Sequence, residues 1–71
     1  MQRHVVESSA LNSLGYNPSA KILEVEFRDS GDVWQYFGFS VTAYQKFINS
    51  DSLGNYFTTK IKGRYPELRI R

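Results

Sequence analysis

The stretch Lys21-Ile22-Leu23-Glu24-Val25-Glu26-Phe27-Arg28, followed by Asp29-Ser30-Gly31-Asp32 and then Val33-Trp34-Gln35-Tyr36-Phe37, decides the fold. Leu23, Val25 and Phe27 alternate with Glu24, Glu26 and Arg28. Period 2 of this kind marks a strand with one buried and one wet face. The central segment is a turn in which Gly31 supplies φ > 0. The return segment is rich in β-branched and aromatic residues, as a strand prefers. Pairing Arg28 with Val33 sets Phe27 against Trp34 and Val25 against Tyr36, all on the Leu23 face. A one-residue slip would place Trp34 and Tyr36 among the glutamates. Trp34 and Tyr36 are therefore expected in the core, and the Glu24/Glu26 face is expected to stay largely open to water.

Working outward, Ala10–Tyr16 precedes the turn signal Asn17-Pro18-Ser19. Paired across that turn, it brings Leu14 beside Leu23 and completes a three-stranded antiparallel meander. On the other side, Ser40 is an N-cap candidate. Val41, Tyr44, Phe47 and Ile48 form one helical stripe. Asn49-Ser50-Asp51-Ser52 breaks the chain and offers the next N-cap. Leu53, Tyr56, Phe57 and Ile61 form a second stripe, with Gly63 at its C-terminal end. The tail Tyr65–Arg71 alternates again, as an edge strand or as an extended segment over the core. The expected fold class is α+β: two layers, with the meander packed against two C-terminal helices.

The chain has 71 residues, which is one domain, 1–71. Residues 1–9 carry few organising signals and are expected to be flexible. A domain this small buries only about 60% of its unfolded surface, so its five Phe, five Tyr and one Trp carry much of the core. There is no Cys, which excludes disulfides, thiolate metal sites and a cysteine nucleophile. No apolar leader opens the chain, and no apolar run approaches the roughly 20 residues that span a bilayer. A cytoplasmic, monomeric protein is the expectation, since nothing in the pattern calls for a second copy.

Charge is distributed unevenly. The last twelve residues hold Lys60, Lys62, Arg64, Arg69 and Arg71 against Glu67 alone, while the other 59 have four Lys/Arg and six Asp/Glu. Tyr65 sits inside this run. Clustered cations interleaved with aromatics suit a polyanion. Lys60, Lys62, Arg64, Tyr65, Arg69 and Arg71 are the nucleic-acid-binding candidates. All but Arg64 have a ready structural alternative. Lys60 and Lys62 complement the negative end of a helix dipole. Arg69 and Arg71 form the solvated face of a terminal segment, and Tyr65 closes the bottom of the core. Trp34 and Tyr36 have the converse alternative, as stacking platforms for bases.

No enzyme is legible. His4 is the only histidine, with no carboxylate or Cys at ligand spacing, so neither a metal site nor a general base is indicated. The five glycines are dispersed and form no phosphate loop, and no cofactor motif is present. Glu24 and Glu26 read as the wet face of a strand rather than as an acid/base pair.

The hairpin Leu23–Phe27 with Val33-Trp34-Gln35-Tyr36-Phe37-Gly38, together with Gly54-Asn55-Tyr56-Phe57 and Ile61-Lys62-Gly63-Arg64-Tyr65, resembles the KTSC domain family. The likeness runs from about Ser8 to about Arg69. Its central mark is an aromatic-x-aromatic pair, usually Tyr-x-Tyr, which reads Trp34-Gln35-Tyr36 here. The family occurs at the C-terminus of some lysyl-tRNA synthetases and as stand-alone small bacterial proteins. The resemblance implies no established activity and no aminoacylation. It suggests RNA as a partner from the synthetase context. The expected function is a small non-enzymatic module binding RNA through the basic helix and tail face. The alternative is a protein–protein interaction module using an exposed sheet face or edge.

Overall fold

A computed structural model describes all 71 residues. Five strands form one antiparallel sheet in sequential order: β1 (His4–Val5), β2 (Leu11–Asn17), β3 (Ile22–Phe27), β4 (Val33–Phe37) and β5 (Glu67–Arg69). Helix α1 (Val41–Ile48) and helix α2 (Leu53–Tyr56) lie between β4 and β5, and α2 runs on into a π-helical turn over Phe57–Ile61. The three expected strands are thus the centre of a wider sheet. β1 and β5 add an edge strand on each side.

The β3–β4 hairpin keeps the expected faces but not the expected register. Leu23 stands opposite Tyr36, Val25 opposite Trp34 and Glu26 opposite Val33. This is a shift of two residues, which leaves every side chain on its face. The loop sets the shift. Phe27 N–H donates to Asp32 O at 2.9 Å and Gly31 N–H to Phe27 O at 2.9 Å, so the loop is Arg28–Gly31, with Gly31 at φ 74. β2 follows β3 with Leu14 opposite Val25 and Tyr16 opposite Leu23, and a bulge at Asn12 brings Leu11 back onto the apolar face.

Leu11, Leu14, Leu23, Val25 and Tyr36 from the sheet meet Phe39, Phe47, Phe57 and Ile61 in one core. Ser40 caps α1 by accepting from Ala43 N–H at 3.1 Å, and Ser52 caps α2 by accepting from Asn55 N–H at 3.2 Å. The α1 stripe is narrower than its spacing suggests: Phe47 is buried, whereas Val41 and Ile48 remain exposed. Tyr44 lies flat on Tyr16, with ring centroids 4.5 Å apart. The Tyr16 hydroxyl donates to the carbonyl of Phe39. Burial raises the pKa of both phenols, so both hydroxyls stay protonated at neutral pH. Tyr16→Phe keeps the stack but leaves that carbonyl without its donor. The expected loss is about 1 kcal/mol in urea unfolding, and an unchanged midpoint would show the bond to be dispensable.

The outer face of the sheet is not open, contrary to the expectation. Glu24, Ser13 and Val33 are buried there. The N-terminal segment covers it: β1 pairs with β2, His4 opposite Leu14 and Val5 opposite Ser13. Arg3 pairs with Glu24 and donates through Nε to Ser13 Oγ at 3.0 Å. Gln35 Nε2 donates to the other Glu24 oxygen at 2.8 Å. Residues 1–9 are therefore placed by this network and by Arg28, whose Nε donates to Ser8 O at 2.8 Å. At the other edge, the tail covers Val33. Val33 N–H donates to Arg71 O at 2.8 Å, and Ile70 N–H donates to Val33 O at 2.8 Å.

Candidate aromatic cavity beside a basic turn

The helices cover most of the inner face, but they stop short of the β4–β5 edge. There a cavity of about 250 Å³ opens, lined by Phe27, Trp34, Tyr36, Phe57, Lys62 and Glu67. Its shape follows from three local causes. The hairpin alternation puts Phe27, Trp34 and Tyr36 on the inner face. The π-helical turn sets Phe57 against two of them, edge-on at 5.3 Å from Phe27 and 5.5 Å from Tyr36. β5 then lays Glu67 opposite Tyr36 and Arg69 opposite Trp34.

Tyr36 is a core residue, as expected. Trp34 differs from the expectation: it packs on the core with one side, is only half-buried, and lines the cavity with the other. Trp34 lies near the start of β4, beside the short edge strand β5. The Tyr36 hydroxyl is held protonated, its pKa pushed up to about 12 by burial and by the Glu67 carboxylate. The cavity thus offers aromatic faces, an ammonium donor at Lys62, a carboxylate acceptor at Glu67 and a phenol that can donate or accept.

The five C-terminal cations do not converge as one patch. Lys60, Lys62 and Arg64 sit exposed on and just after the π-helical turn, and Lys62 forms part of the cavity wall. Arg64 Nε donates to Thr59 O at 3.1 Å, which steadies the guanidinium without neutralising it. Arg69 reaches Asp32 at 3.6 Å on the cavity side of the sheet. Arg71 reaches Glu26 at 3.4 Å on the outer face, away from the others. Tyr65 packs edge-on against Phe39 with centroids 4.8 Å apart, so its structural alternative describes its position. Gly63, at φ 76, makes the turn after Lys62 that no side chain favours.

Sequence reasoning missed Phe27, Phe57 and Glu67 as wall residues. The two phenylalanines fit a core stripe perfectly well, and Glu67 enters only through the return of β5 to β4. The acidic pair is also accounted for. Burial pushes the Glu24 carboxyl upward, but the hydrogen bonds from Gln35 and Arg3 and the Arg3 charge outweigh it and hold the pKa below the usual carboxylate value. Ser13 and Asn12, donating to Glu26 at 2.8 and 2.9 Å, hold that carboxyl low as well. No group of three His, Cys, Asp or Glu side chains gathers to hold a metal, and no helix is long and apolar enough to cross a membrane.

Comparison with known proteins bears on the whole of this arrangement. The chain is 40% identical over 65 residues to an uncharacterised protein of Stutzerimonas stutzeri, covering 92% of this chain and 90% of that protein. It is 36% identical over 59 residues to a lysine–tRNA ligase of Nostoc sp., covering 83% of this chain but 10% of the ligase. The crystal structure of a KTSC domain protein from Yersinia pestis superposes with a TM-score of 0.93 at 38% identity, covering 99% of this chain and 97% of that one. The KTSC domain family model matches residues 7–65, which contain Trp34, Tyr36, Phe57 and Lys62, and the chain belongs to the KTSC domain family.

Proposed function

We propose that this KTSC domain is a small non-enzymatic module that binds single-stranded RNA at the β4–β5 edge. The observation that carries the reading is the contact between the two halves of the site: Lys62 belongs both to the exposed basic turn and to the wall of the aromatic cavity. Single-stranded RNA asks for this combination, cations for the backbone and an aromatic face for an unstacked base. Lys60, Lys62 and Arg64 are the phosphate contacts, and Trp34 is the stacking face. The two sheet glutamates Glu24 and Glu26 are kept clear of this side, since they lie on the outer face and are engaged there by Arg3, Ser13 and Asn12, which leaves Glu67 and Asp32 as the carboxylates near the cavity. Relatives at 36% identity are lysine–tRNA ligases, proteins named for an RNA, which agrees with the reading.

The ion pairs of Arg69 and Arg71 narrow the prediction. If only Lys60, Lys62 and Arg64 meet phosphates, log K falls with log[salt] at a slope of about −2. Engagement of all five cations gives about −3.5. A titration of labelled protein with single-stranded RNA at several salt concentrations, followed residue by residue, reads both slope and location. No perturbation of Lys60, Lys62 or Arg64 at low salt would sink the reading.

A protein partner is the second reading. Leu68 on β5 and Ile70 just past its end stay exposed, and β5 has no neighbour on its outer side. A free edge with apolar side chains suits strand addition. A specific protein that co-precipitates with the chain after nuclease treatment, and is lost on Leu68→Lys, favours this reading over RNA.

A further inference from the structure

The walls of the cavity restrict what enters it. Phe27, Trp34, Tyr36 and Phe57 present ring faces and edges, which suit a flat heteroaromatic group. At about 250 Å³ the cavity falls just under the roughly 300–1,000 Å³ of drug-sized pockets, so it admits one ring system and not a dinucleotide. Its charged groups are one of each sign. Lys62 can only donate, and Glu67, as a carboxylate, can only accept.

We propose that the cavity takes a single extruded nucleobase carrying an exocyclic amino group (adenine, cytosine or guanine, and not uracil), with the amino group donating to Glu67 and a ring nitrogen or carbonyl accepting from Lys62. This rests on the reading of the chain as a single-stranded RNA-binding module. The discrimination lies in the carboxylate. Adenine, cytosine and guanine each set an amino donor beside an acceptor on the same edge, which matches Glu67 and Lys62 together. Uracil can offer Glu67 only its single N–H, which lies between two carbonyl oxygens, so a carboxylate that accepts from it is held against a carbonyl lone pair and the pairing is weaker. Glu67 is exposed in the free chain, so the discrimination arises when a seated base covers it: a base without a good donor then leaves the carboxylate cut off from water and poorly paired. The Glu67 carboxylate also repels phosphate, which directs the backbone toward Lys60 and Arg64 and leaves the base for the cavity.

The test uses the full chain and the trinucleotides UAU, UCU, UGU and UUU, followed by the Trp34 indole N–H and the backbone signals of Lys60, Lys62 and Arg64. The first three are expected to bind at least about fivefold tighter than UUU, the low end for one good polar pairing to a base, and to shift Trp34. Glu67→Gln offers an amide that accepts or donates according to its rotation, so the preference over UUU narrows to about twofold or less. Glu67 is exposed on an edge strand, and the variant is expected to keep the fold. Equal affinity for UUU in the wild-type chain overturns the amino-group selection. Shifts at Lys60 and Arg64 without any at Trp34 overturn the cavity as the base site while leaving the RNA-binding reading intact. No shift at any of these residues removes both. Free adenosine monophosphate binding as tightly as UAU would reassign the cavity from a strand to a free nucleotide, and overturns the proposal as stated.

Discussion

Arg3→Met is expected to destabilise the domain by about 3 kcal/mol at pH 7, from a total of roughly 4–11 kcal/mol for a chain of this length. The Glu24 carboxylate is 5% exposed, and Arg3 is the only cation within salt-bridge distance of it. Removing one member of a buried pair leaves the other charge desolvated, which costs more than the pair contributes when intact. The effect has a pH signature. In the wild-type chain the folded-state pKa of Glu24 is depressed. Its contribution is present above the ordinary carboxylate value and is lost as pH falls through the lower folded value. Without Arg3, burial, the largest single influence, is opposed only by the Gln35 hydrogen bond and the N-terminal charge, and the folded pKa is expected to rise above the unfolded one. Glu24 then favours folding below the ordinary value and disfavours it as pH rises through the folded one. Glu26 keeps its normal sign, because Ser13 and Asn12 still donate to it. The clean comparison is therefore Arg3→Met against the double variant Arg3→Met/Glu24→Gln. In urea unfolding the gap between them should open as pH rises above about 4.5, with the double variant the more stable. A gap that is constant with pH, or an Arg3→Met loss below about 1 kcal/mol, would show that Glu24 is not held as a buried charge.

This network also bears on function. It neutralises the two central carboxylates of the sheet from within and on the far face. The charges left at the cavity are then Lys62 and Glu67 in its wall and the Arg69–Asp32 pair beside it.

The alternation Leu23-Glu24-Val25-Glu26-Phe27 was enough to assign every residue of the hairpin to its face. It could not fix the register, because a two-residue slip preserves period 2, and the closing Phe27–Asp32 bond is a property of the loop. Ser40 and Ser52 were legible as caps because capping is local chemistry. β1 was not legible. Two residues with an exposed Val5 carry no periodic signal, and what holds them is long-range: the pairing with β2 and the Arg3 contacts with Glu24 and Ser13. The cavity was half legible. Trp34 and Tyr36 stood out as an aromatic pair, but whether an edge residue is covered depends on where the helices end. The basic tail showed its charge and not its geometry: β5 ends at Arg69, so strand alternation no longer places Arg71, which reaches Glu26 while Arg69 reaches Asp32.

Gly15 is the trace that β1 leaves in the sequence. A glycine inside a strand weakens it unless something needs the room. Here a Cβ at position 15 would lie 2.7 Å from the carbonyl oxygen of Gln2 and 3.0 Å from Cγ of Arg3. The first of these is backbone, so it yields only if the N-terminal segment lifts off the sheet. Gly15 is not among the positive-φ residues, so its conformation alone would accept alanine. Without the contact, Gly15→Ala would stabilise by about 0.4–1 kcal/mol through loss of unfolded-state freedom. With it, the change is expected to cost about 2 kcal/mol, within the range for overpacking, and to displace Arg3 from Glu24. Two variants of one network then couple. In a chain lacking Met1–Val5 the cost of Gly15→Ala should vanish or turn slightly favourable, a departure from additivity of about 2 kcal/mol or more. Amide exchange offers an independent reading: the Val6 N–H, which donates to Asn12 O at 3.1 Å, should lose protection in Gly15→Ala while Phe47 and Leu23 keep theirs. Additive effects of the truncation and the substitution would mean that residues 1–5 do not lie over Gly15, and with that the burial of Glu24 would lose its cause.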